Sequence, residues 1–154
     1  MEADRRQELI ARYRAGHEAV AEALFGIKED ELDRSASGEC SPRQIAHHLA
    51  DSEMMSAIRL RRLLTEDEPM LSGYDEVEFA RQLTRDRPVG PSIEAMRWAR
   101  ESSAQIIERL TDEEWRRTGR HAESGAYSVE TWLEIYAAHP HDHADQIKRS
   151  RGLA

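Results

Sequence analysis

The sequence Y-A-A-H-P-H-D-H-A-D-Q-I, residues 136–147, contains three of the seven histidines of the chain. Residues four positions apart lie on the same face of an α-helix, so His139 and His143 can present two imidazoles to one point. Tyr136 and Ile147 extend that face toward the two ends of the segment. The pattern predicts an amphipathic helix whose inward face carries two candidate metal ligands.

A pair of histidines on one helix needs a further ligand from elsewhere in the chain. The best candidate is His48, within I-A-H-H-L-A-D-S-E at residues 45–53, because Ile45, His48 and Leu49 share one face of a second amphipathic segment. Three imidazoles leave a divalent metal an open position, as in catalytic rather than structural sites. We therefore predict a three-histidine metal site.

Composition limits the classes of protein to consider. The chain has 154 residues, enough for one domain spanning 1–154, and a net charge of -8. That charge argues against nucleic acid, because such binding depends on clustered basic residues that neutralise phosphates. Cys40 is the single cysteine, and no stretch resembles a signal peptide or a membrane span. We predict a cytoplasmic protein with neither a membrane nor a nucleic-acid partner.

Four long segments place apolar residues at helical spacing, and no alternating strand pattern competes with them. They cover residues 4–25, 42–64, 91–110 and the segment that Ser128 begins. The second starts with a capping box, Ser41 to Gln44, and with Pro42 at its first position. The predicted connections are a polar loop that includes Ser37, a turn at residues 65–73, a short helix at 75–83 and a loop at 119–125. This is an all-α four-helix bundle with a long crossover connection between the second and third long helices.

Three stretches together resemble the DinB and YfiT-like superfamily in order and spacing. They are S-P-R-Q-I-A-H-H-L-A-D-S-E at 41–53, R-T-G-R-H-A-E-S-G-A-Y-S at 117–128 and H-x-x-x-H-A-D-Q-I at 139–147. The resemblance implies a DinB/YfiT-like four-helix bundle that binds a divalent metal through three histidines. Matched residue by residue, these are His48, His139 and His143. Members are often dimeric, so a homodimer is one expectation.

The resemblance also implies two kinds of activity and leaves the catalytic residues unknown. The first, which we favour at this point, is transfer of a low-molecular-weight thiol to a small-molecule substrate, an electrophile, in which the metal holds the sulfur as a thiolate. The second is hydrolysis by metal-bound water, whose pKa the metal lowers to about 7. A metal-binding stress protein without turnover is a third reading. Imidazole ligands suit several metals; zinc or nickel is favoured, with iron or manganese as alternatives.

Pro140 departs from a regular helix directly after His139. A proline inside a helix removes a backbone hydrogen bond and clashes with the preceding turn, at a cost of roughly 3 kcal/mol. The sequence therefore predicts a kink near residues 136–139. His141 is an alternative ligand if that kink rotates the helix face, although a kinked helix usually keeps its face.

Other residues are alternative ligands or partners of the predicted site. They are Glu53, as a hydrogen-bond acceptor for an imidazole, and two further histidines, His17 on the first long helix and His121 in the predicted loop. Each also has a purely structural interpretation, as part of a polar patch, the core or the solvent-exposed surface. Two rival metal motifs are absent from the sequence. No histidine follows a glutamate by three residues, as ferritin-like di-iron sites require, and the H-E-x-x-H of metalloproteases does not occur.

Overall fold

We describe the protein from a computed structural model that covers residues 1–35 and 38–153. Ser37, in the predicted polar loop, lies outside the described residues. The elements in chain order are α1 (Ala3–Leu24), α2 (Glu29–Leu32), α3 (Pro42–Thr65), β1 (Met70–Leu71), α4 (Glu76–Leu83), α5 (Gly90–Ile107), α6 (Asp112–Trp115), β2 (Thr118–His121), β3 (Gly125–Ser128) and α7 (Val129–Ser150). Helix α5 ends one turn before the predicted Leu110. The other long helices begin and end close to their predicted positions.

The capping residues explain where two of the long helices begin. Before α3, the Ser41 hydroxyl accepts a hydrogen bond from the Gln44 N–H at 3.3 Å, and the Gln44 side chain accepts one from the Ser41 N–H at 2.9 Å. Before α7, the Ser128 hydroxyl accepts from the Thr131 N–H at 3.0 Å. These side chains satisfy N–H groups that have no partner within the helix.

Contacts along the helices show that α1 runs parallel to α7 and that α3 runs parallel to α5. The amino terminus of the chain contacts Glu130 at 2.9 Å, while Arg151 donates to the Ala23 carbonyl at the far end of α1. On the other pair, His47 lies against Ser92, near the starts of α3 and α5, and Arg61 contacts the Ser102 hydroxyl further along both helices. The two helices of each pair, α1 with α7 and α3 with α5, therefore run in the same direction.

The two pairs run antiparallel to each other. The Trp132 indole near the start of α7 donates to the Ser56 carbonyl in the second half of α3 at 3.0 Å, whereas His139 meets His48 in the first half of α3. Because α3 and α5 are parallel neighbours, the chain must return along the bundle between them. Residues 66–89, which include β1 and α4, form this crossover, and the predicted four-helix bundle with a long crossover connection is confirmed.

A small sheet of order β1-β2-β3 lies at the end of the bundle where α3 stops and α7 starts. β1 pairs with β2 in parallel and β2 pairs with β3 antiparallel. The sequence predicted a turn at 65–73 and a loop at 119–125, and it missed these three strands. Strands of two to four residues are too short to show an alternating pattern. Gly119 permits the contact between strands, since a Cβ atom there would lie 2.7 Å from the Pro69 carbonyl oxygen.

The apolar core consists of two clusters separated along the bundle by a more polar layer. The larger cluster includes Tyr13, Leu60, Leu63, Trp132 and Leu133. The smaller cluster includes Val20, Ile45, Leu49, Met96 and Ile147. Between these positions the four long helices carry Gly16, Glu53, Arg100 and Pro140, and α7 also carries His139 and His143. His48 lies about one turn of α3 away, between Ile45 and Leu49 of the smaller cluster. The candidate site therefore lies where this polar layer meets the smaller cluster.

Candidate metal centre

The structure brings His48, His139 and His143 together between α3 and α7. The Nε2 atom of His139 lies 3.1 Å from the Nε2 atom of His48 and 3.1 Å from that of His143. One nitrogen from each ring fits within a group no more than 4.8 Å across. We call these three side chains the histidine cluster.

The chemistry of the three nitrogens fits a cation better than it fits hydrogen bonds among themselves. An imidazole nitrogen carries either one proton or one lone pair in the ring plane. The Nε2 atom of His139 therefore cannot form good hydrogen bonds to two other nitrogens at once. Tetrahedral zinc with bonds of about 2.0–2.1 Å would separate its ligand nitrogens by roughly 3.3 Å. The observed 3.1 Å contacts are close to that spacing.

Burial keeps these imidazoles neutral. It lowers the pKa of His139 to about 3, and the neighbouring His143 and His48 lower it further as like charges. Burial, followed by the effect of His143, lowers the pKa of His48 to about 4. The pKa of His143 is also lowered, mainly by burial. Neutral rings keep lone pairs for a metal at neutral pH, since ligand imidazoles must be deprotonated.

Gln146 orients the third ring. Its Oε1 atom lies 3.0 Å from Nδ1 of His143. An amide oxygen only accepts, so the proton of the neutral ring resides on Nδ1 and the lone pair on Nε2 points into the histidine cluster. Gln146 was not assigned a role from the sequence, although its position three residues after His143 was the available signal.

Helix α7 continues across Pro140 because other side chains replace the missing backbone donor. Proline has no N–H for the carbonyl of Tyr136, and Arg100 donates to that oxygen from Nη2 at 2.9 Å. The Nε group of Arg12 donates to the next carbonyl, that of Ala137, at 3.2 Å. His139 and His143 thus stay on one face of α7.

The proline ring itself is accommodated by a glycine on α1. A Cβ atom at Gly16 would lie 2.4 Å from Cγ of Pro140 and 2.9 Å from Nη2 of Arg100. Glycine at this position therefore lets α1 approach α7 closely where α7 lacks a backbone hydrogen bond. Neither Gly16 nor Arg100 was assigned a role from the sequence.

Glu53 does not have the predicted role of acceptor for an imidazole. It is 2% exposed and accepts a 2.6 Å hydrogen bond from the Tyr13 hydroxyl and a 2.5 Å ion-pair contact from Arg100. Burial raises the pKa of Tyr13 well above its ordinary value, so the phenol stays protonated and donates. The Arg100 guanidinium also donates to the Tyr13 carbonyl at 2.6 Å. Glu53 therefore neutralises a buried arginine that ties α1, α3, α5 and α7 together.

The remaining histidines lie outside the cluster. His141 places Nε2 3.0 Å from the Arg12 carbonyl, so the alternative in which it replaces a ligand is not the arrangement found. His47 is fully buried, with Nδ1 at 2.8 Å from the Ser92 hydroxyl. His17 faces a groove between α1 and α5 beside Arg97. His121 lies on β2, where its Nδ1 accepts from the Glu123 N–H at 3.3 Å.

Two pockets reach the histidine cluster from different sides. The α4-side pocket has a volume of about 490 Å³; His48, His139 and His143 line it together with Val77 and Ala80 of α4. The hairpin-side pocket has a volume of about 340 Å³ and shares His139. Its walls include His121 and Tyr127 of the β2–β3 hairpin. Glu76, an exposed carboxylate at the start of α4, borders both pockets.

Two features define the class of protein. One is a four-helix bundle in which α1 packs parallel to α7 and α3 packs parallel to α5, and the other is a set of three histidines that converge between α3 and α7. The family model of the DinB superfamily matches residues 4–147. This chain belongs to the DinB superfamily. Within residues 1–35 and 38–153, no helix is both long and apolar enough to cross a membrane.

Similar proteins carry names that concern metal-dependent hydrolysis. One from Oceanobacillus iheyensis, named "Putative metal-dependent hydrolase", is 34% identical over 125 residues, which are 80% of this chain and 73% of the relative. Another of that name, from Halalkalibacterium halodurans, is 27% identical over 108 residues, or 70% of this chain and 63% of the relative.

A solved structure supports the fold. YfiT from Bacillus subtilis, described as "a probable metal-dependent hydrolase with an unusual four-helix bundle topology", has a TM-score of 0.92. The match covers 100% of this chain and 91% of YfiT at 24% sequence identity. At this identity the likeness establishes the shared bundle and leaves the reaction to be argued from the site.

Proposed function

We propose that the protein is a metal-dependent hydrolase whose divalent cation is held by His48, His139 and His143. The observation that carries this proposal is the meeting of three Nε2 atoms, with 3.1 Å contacts to His139 from both sides. The names of the relatives from two organisms support hydrolysis. Zinc and nickel are the metals we favour among those that imidazole nitrogen suits.

In this proposal the three histidines, Gln146 and Glu76 have different roles. A divalent ion held by these three neutral imidazoles would supply a Lewis acid with an open position, which is the chemistry that activates water at neutral pH. Gln146 fixes the orientation of His143 through its 3.0 Å contact. Glu76 borders both pockets beside the cluster, where a carboxylate can accept the proton that hydrolysis releases.

Thiol transfer is the second candidate, and the α4-side pocket favours it. Aliphatic side chains of Val77 and Ala80 line about 490 Å³ of space next to the cluster. A low-molecular-weight thiol placed there would meet a metal that stabilises its thiolate form. The same three histidines serve both reactions, so only the required reactant distinguishes them.

Turnover with defined reactants tests the proposal. Protein purified without a chelating column should bind about one zinc or nickel ion per chain and then hydrolyse members of an ester and amide panel without any thiol. The rate should rise with pH as the activated water loses its proton. Turnover that appears only with bacillithiol, mycothiol or glutathione and an electrophile would select thiol transfer instead. Metal binding without either activity would identify a metal-binding stress protein.

The stability of the metal-free protein should fall as the pH decreases below about 6.5. The pKa values of His48 and His139 in the folded protein, about 4 and about 3, lie below the unfolded value near 6.5. Between these limits the unfolded chain binds more protons, so lowering the pH favours unfolding. Urea midpoints at pH 7.5, 6.0 and 5.0 measure the effect. Replacing His48 and His139 by Gln should flatten this dependence; an unchanged slope would contradict the depressed pKa values.

The other expectations from the sequence belong to this proposal as well. We propose a single domain that acts in the cytoplasm on a small molecule, without a nucleic-acid partner, and that forms a homodimer. Sedimentation velocity at several concentrations decides the oligomeric state. Retention on a nucleic-acid column, compared with retention on a resin that carries a simple anion, tests whether nucleic acid is a partner.

A further inference from the structure

The hairpin-side pocket differs from the α4-side pocket in the groups that line it. Arg59 of α3 lies there with His121 and Tyr127 of the hairpin and Tyr136 of α7. His139 forms the wall that the pocket shares with the histidine cluster. Several side chains that can donate hydrogen bonds therefore line one cavity, together with His139, a candidate metal ligand.

The Arg59 guanidinium is positioned but not neutralised by its described contacts. Its Nη1 group donates to the Tyr136 hydroxyl at 2.9 Å, and its Nη2 group donates to the Ser72 carbonyl at 2.8 Å. Both acceptors are uncharged, and the side chain forms no ion pair among the described residues. A guanidinium has five N–H donors, so Arg59 is held in a fixed orientation with donors and a full positive charge to spare.

Two side chains of the hairpin that can donate hydrogen bonds also line this pocket. His121 is 8% exposed, and its Nδ1 accepts from the Glu123 N–H, which leaves the proton of the neutral ring on Nε2. The Tyr127 hydroxyl is buried and has no hydrogen-bond partner within residues 1–35 and 38–153. Of the described residues that line this pocket, Glu76 alone is acidic, and it lies at the border with the α4-side pocket.

We propose that the hairpin-side pocket binds an oxyanion, so that the substrate of this protein carries a carboxylate or phosphate group close to the part that reaches the histidine cluster. A fixed guanidinium and additional donors suit such groups, whose oxygens accept several charge-assisted hydrogen bonds at once. The statement about the substrate rests on the proposed metal function. The binding of an oxyanion to the pocket does not.

Paired inhibitors of the zinc-loaded protein test the link between pocket and metal. Acetohydroxamate can bind a metal but lacks a second charge, whereas the monohydroxamates of malonate, succinate and glutarate add a carboxylate at increasing reach. At least one should bind about 10- to 100-fold more tightly than acetohydroxamate, as a charge-assisted hydrogen bond of about 1.5–3 kcal/mol requires. Calorimetric titration measures the ratio. Equal affinity of all four compounds would overturn the proposal.

Three variants at two positions of α3 assign the effect to its residue. Arg59→Gln should bring the ratio close to one while leaving acetohydroxamate affinity unchanged, and Arg59→Lys should retain part of it. Arg61→Gln removes the same charge two positions away, where Arg61 contacts Ser102 and Ser103 on α5, and should keep the full ratio. A loss of equal size in Arg61→Gln would show a general charge effect and overturn the proposal.

A metal-free experiment separates this proposal from the metal function. Acetate and inorganic phosphate, titrated separately into the protein without metal, should each give saturable shifts of the His121 ring signals by NMR, and Arg59→Gln should abolish them. The tighter of the two anions indicates the group on the substrate. If zinc fails to bind while these shifts occur, the metal proposal falls and the oxyanion site stands; absence of shifts with both anions overturns the site.

Discussion

Replacing His139 by Ala should weaken zinc binding by at least about a hundredfold. His139 is the central member of the cluster, since its Nε2 atom contacts those of both His48 and His143 at 3.1 Å. Loss of a partner that merely orients a ligand costs 10- to 100-fold in affinity, and loss of a ligand should cost more. In wild-type protein, zinc at one hundred times its dissociation constant should add about 2.7 kcal/mol to the free energy of unfolding. That increment should disappear in the variant.

Matched histidine variants provide the control. His48→Ala and His143→Ala should behave like His139→Ala. His141→Ala should bind zinc normally, because His141 points toward the Arg12 carbonyl, although it lies in the same stretch of α7. Competitive titration against a chromogenic chelator measures the affinities. Loss of binding in His141→Ala with retention in His139→Ala would refute the assignment of ligands around Pro140.

The sequence predicted the parts of the fold that depend on periodicity and local capping. The apolar spacing of α3 and α7 placed three histidines on inward faces, and the Ser41 capping box set the start of α3. The long segment between α3 and α5 indicated a crossover. These signals are local or have a helical period, so they can be read from neighbouring positions in one chain.

The sequence could not predict contacts between residues far apart in the chain. Glu53 looked like a partner for His48, five positions earlier, but its actual partner Arg100 lies 47 positions away. The hairpin-side pocket likewise depends on a hairpin whose strands were too short to recognise. The sequence did contain one signal for Arg100, namely its position four residues after Met96 on the same face of the helix. In the structure both residues are buried.

The Arg100 contacts suggest why a proline is tolerated beside a candidate ligand. Tyr136 provides an accepting carbonyl because Pro140 offers no N–H, and a buried guanidinium meets that carbonyl. Glu53 neutralises this guanidinium, and Tyr13 supplies both a donor to Glu53 and an acceptor for Arg100. The polar layer therefore stabilises the turn of α7 from which His139 projects.

Replacing Arg100 by Met should lower the free energy of unfolding by about 3–5 kcal/mol, the range for removing one partner of a buried ion pair. Arg100 and Glu53 are 3% and 2% exposed. The variant leaves a buried carboxylate without its cation and deprives the carbonyls of Tyr13 and Tyr136 of a donor. Urea unfolding of the metal-free protein at pH 7.5 measures the loss.

One control variant and two double variants separate the effect of the ion pair from the support of α7. Arg97→Met, on the exposed side of the same helix and 3.8 Å from Glu94, should change stability by less than about 0.5 kcal/mol. Adding Glu53→Leu to Arg100→Met removes the unpaired carboxylate and should restore part of the stability. Adding Pro140→Ala to Arg100→Met returns an N–H to the Tyr136 carbonyl and should restore a different part. If Pro140→Ala stabilises the wild-type protein as much as it stabilises Arg100→Met, then Arg100 does not compensate for the proline.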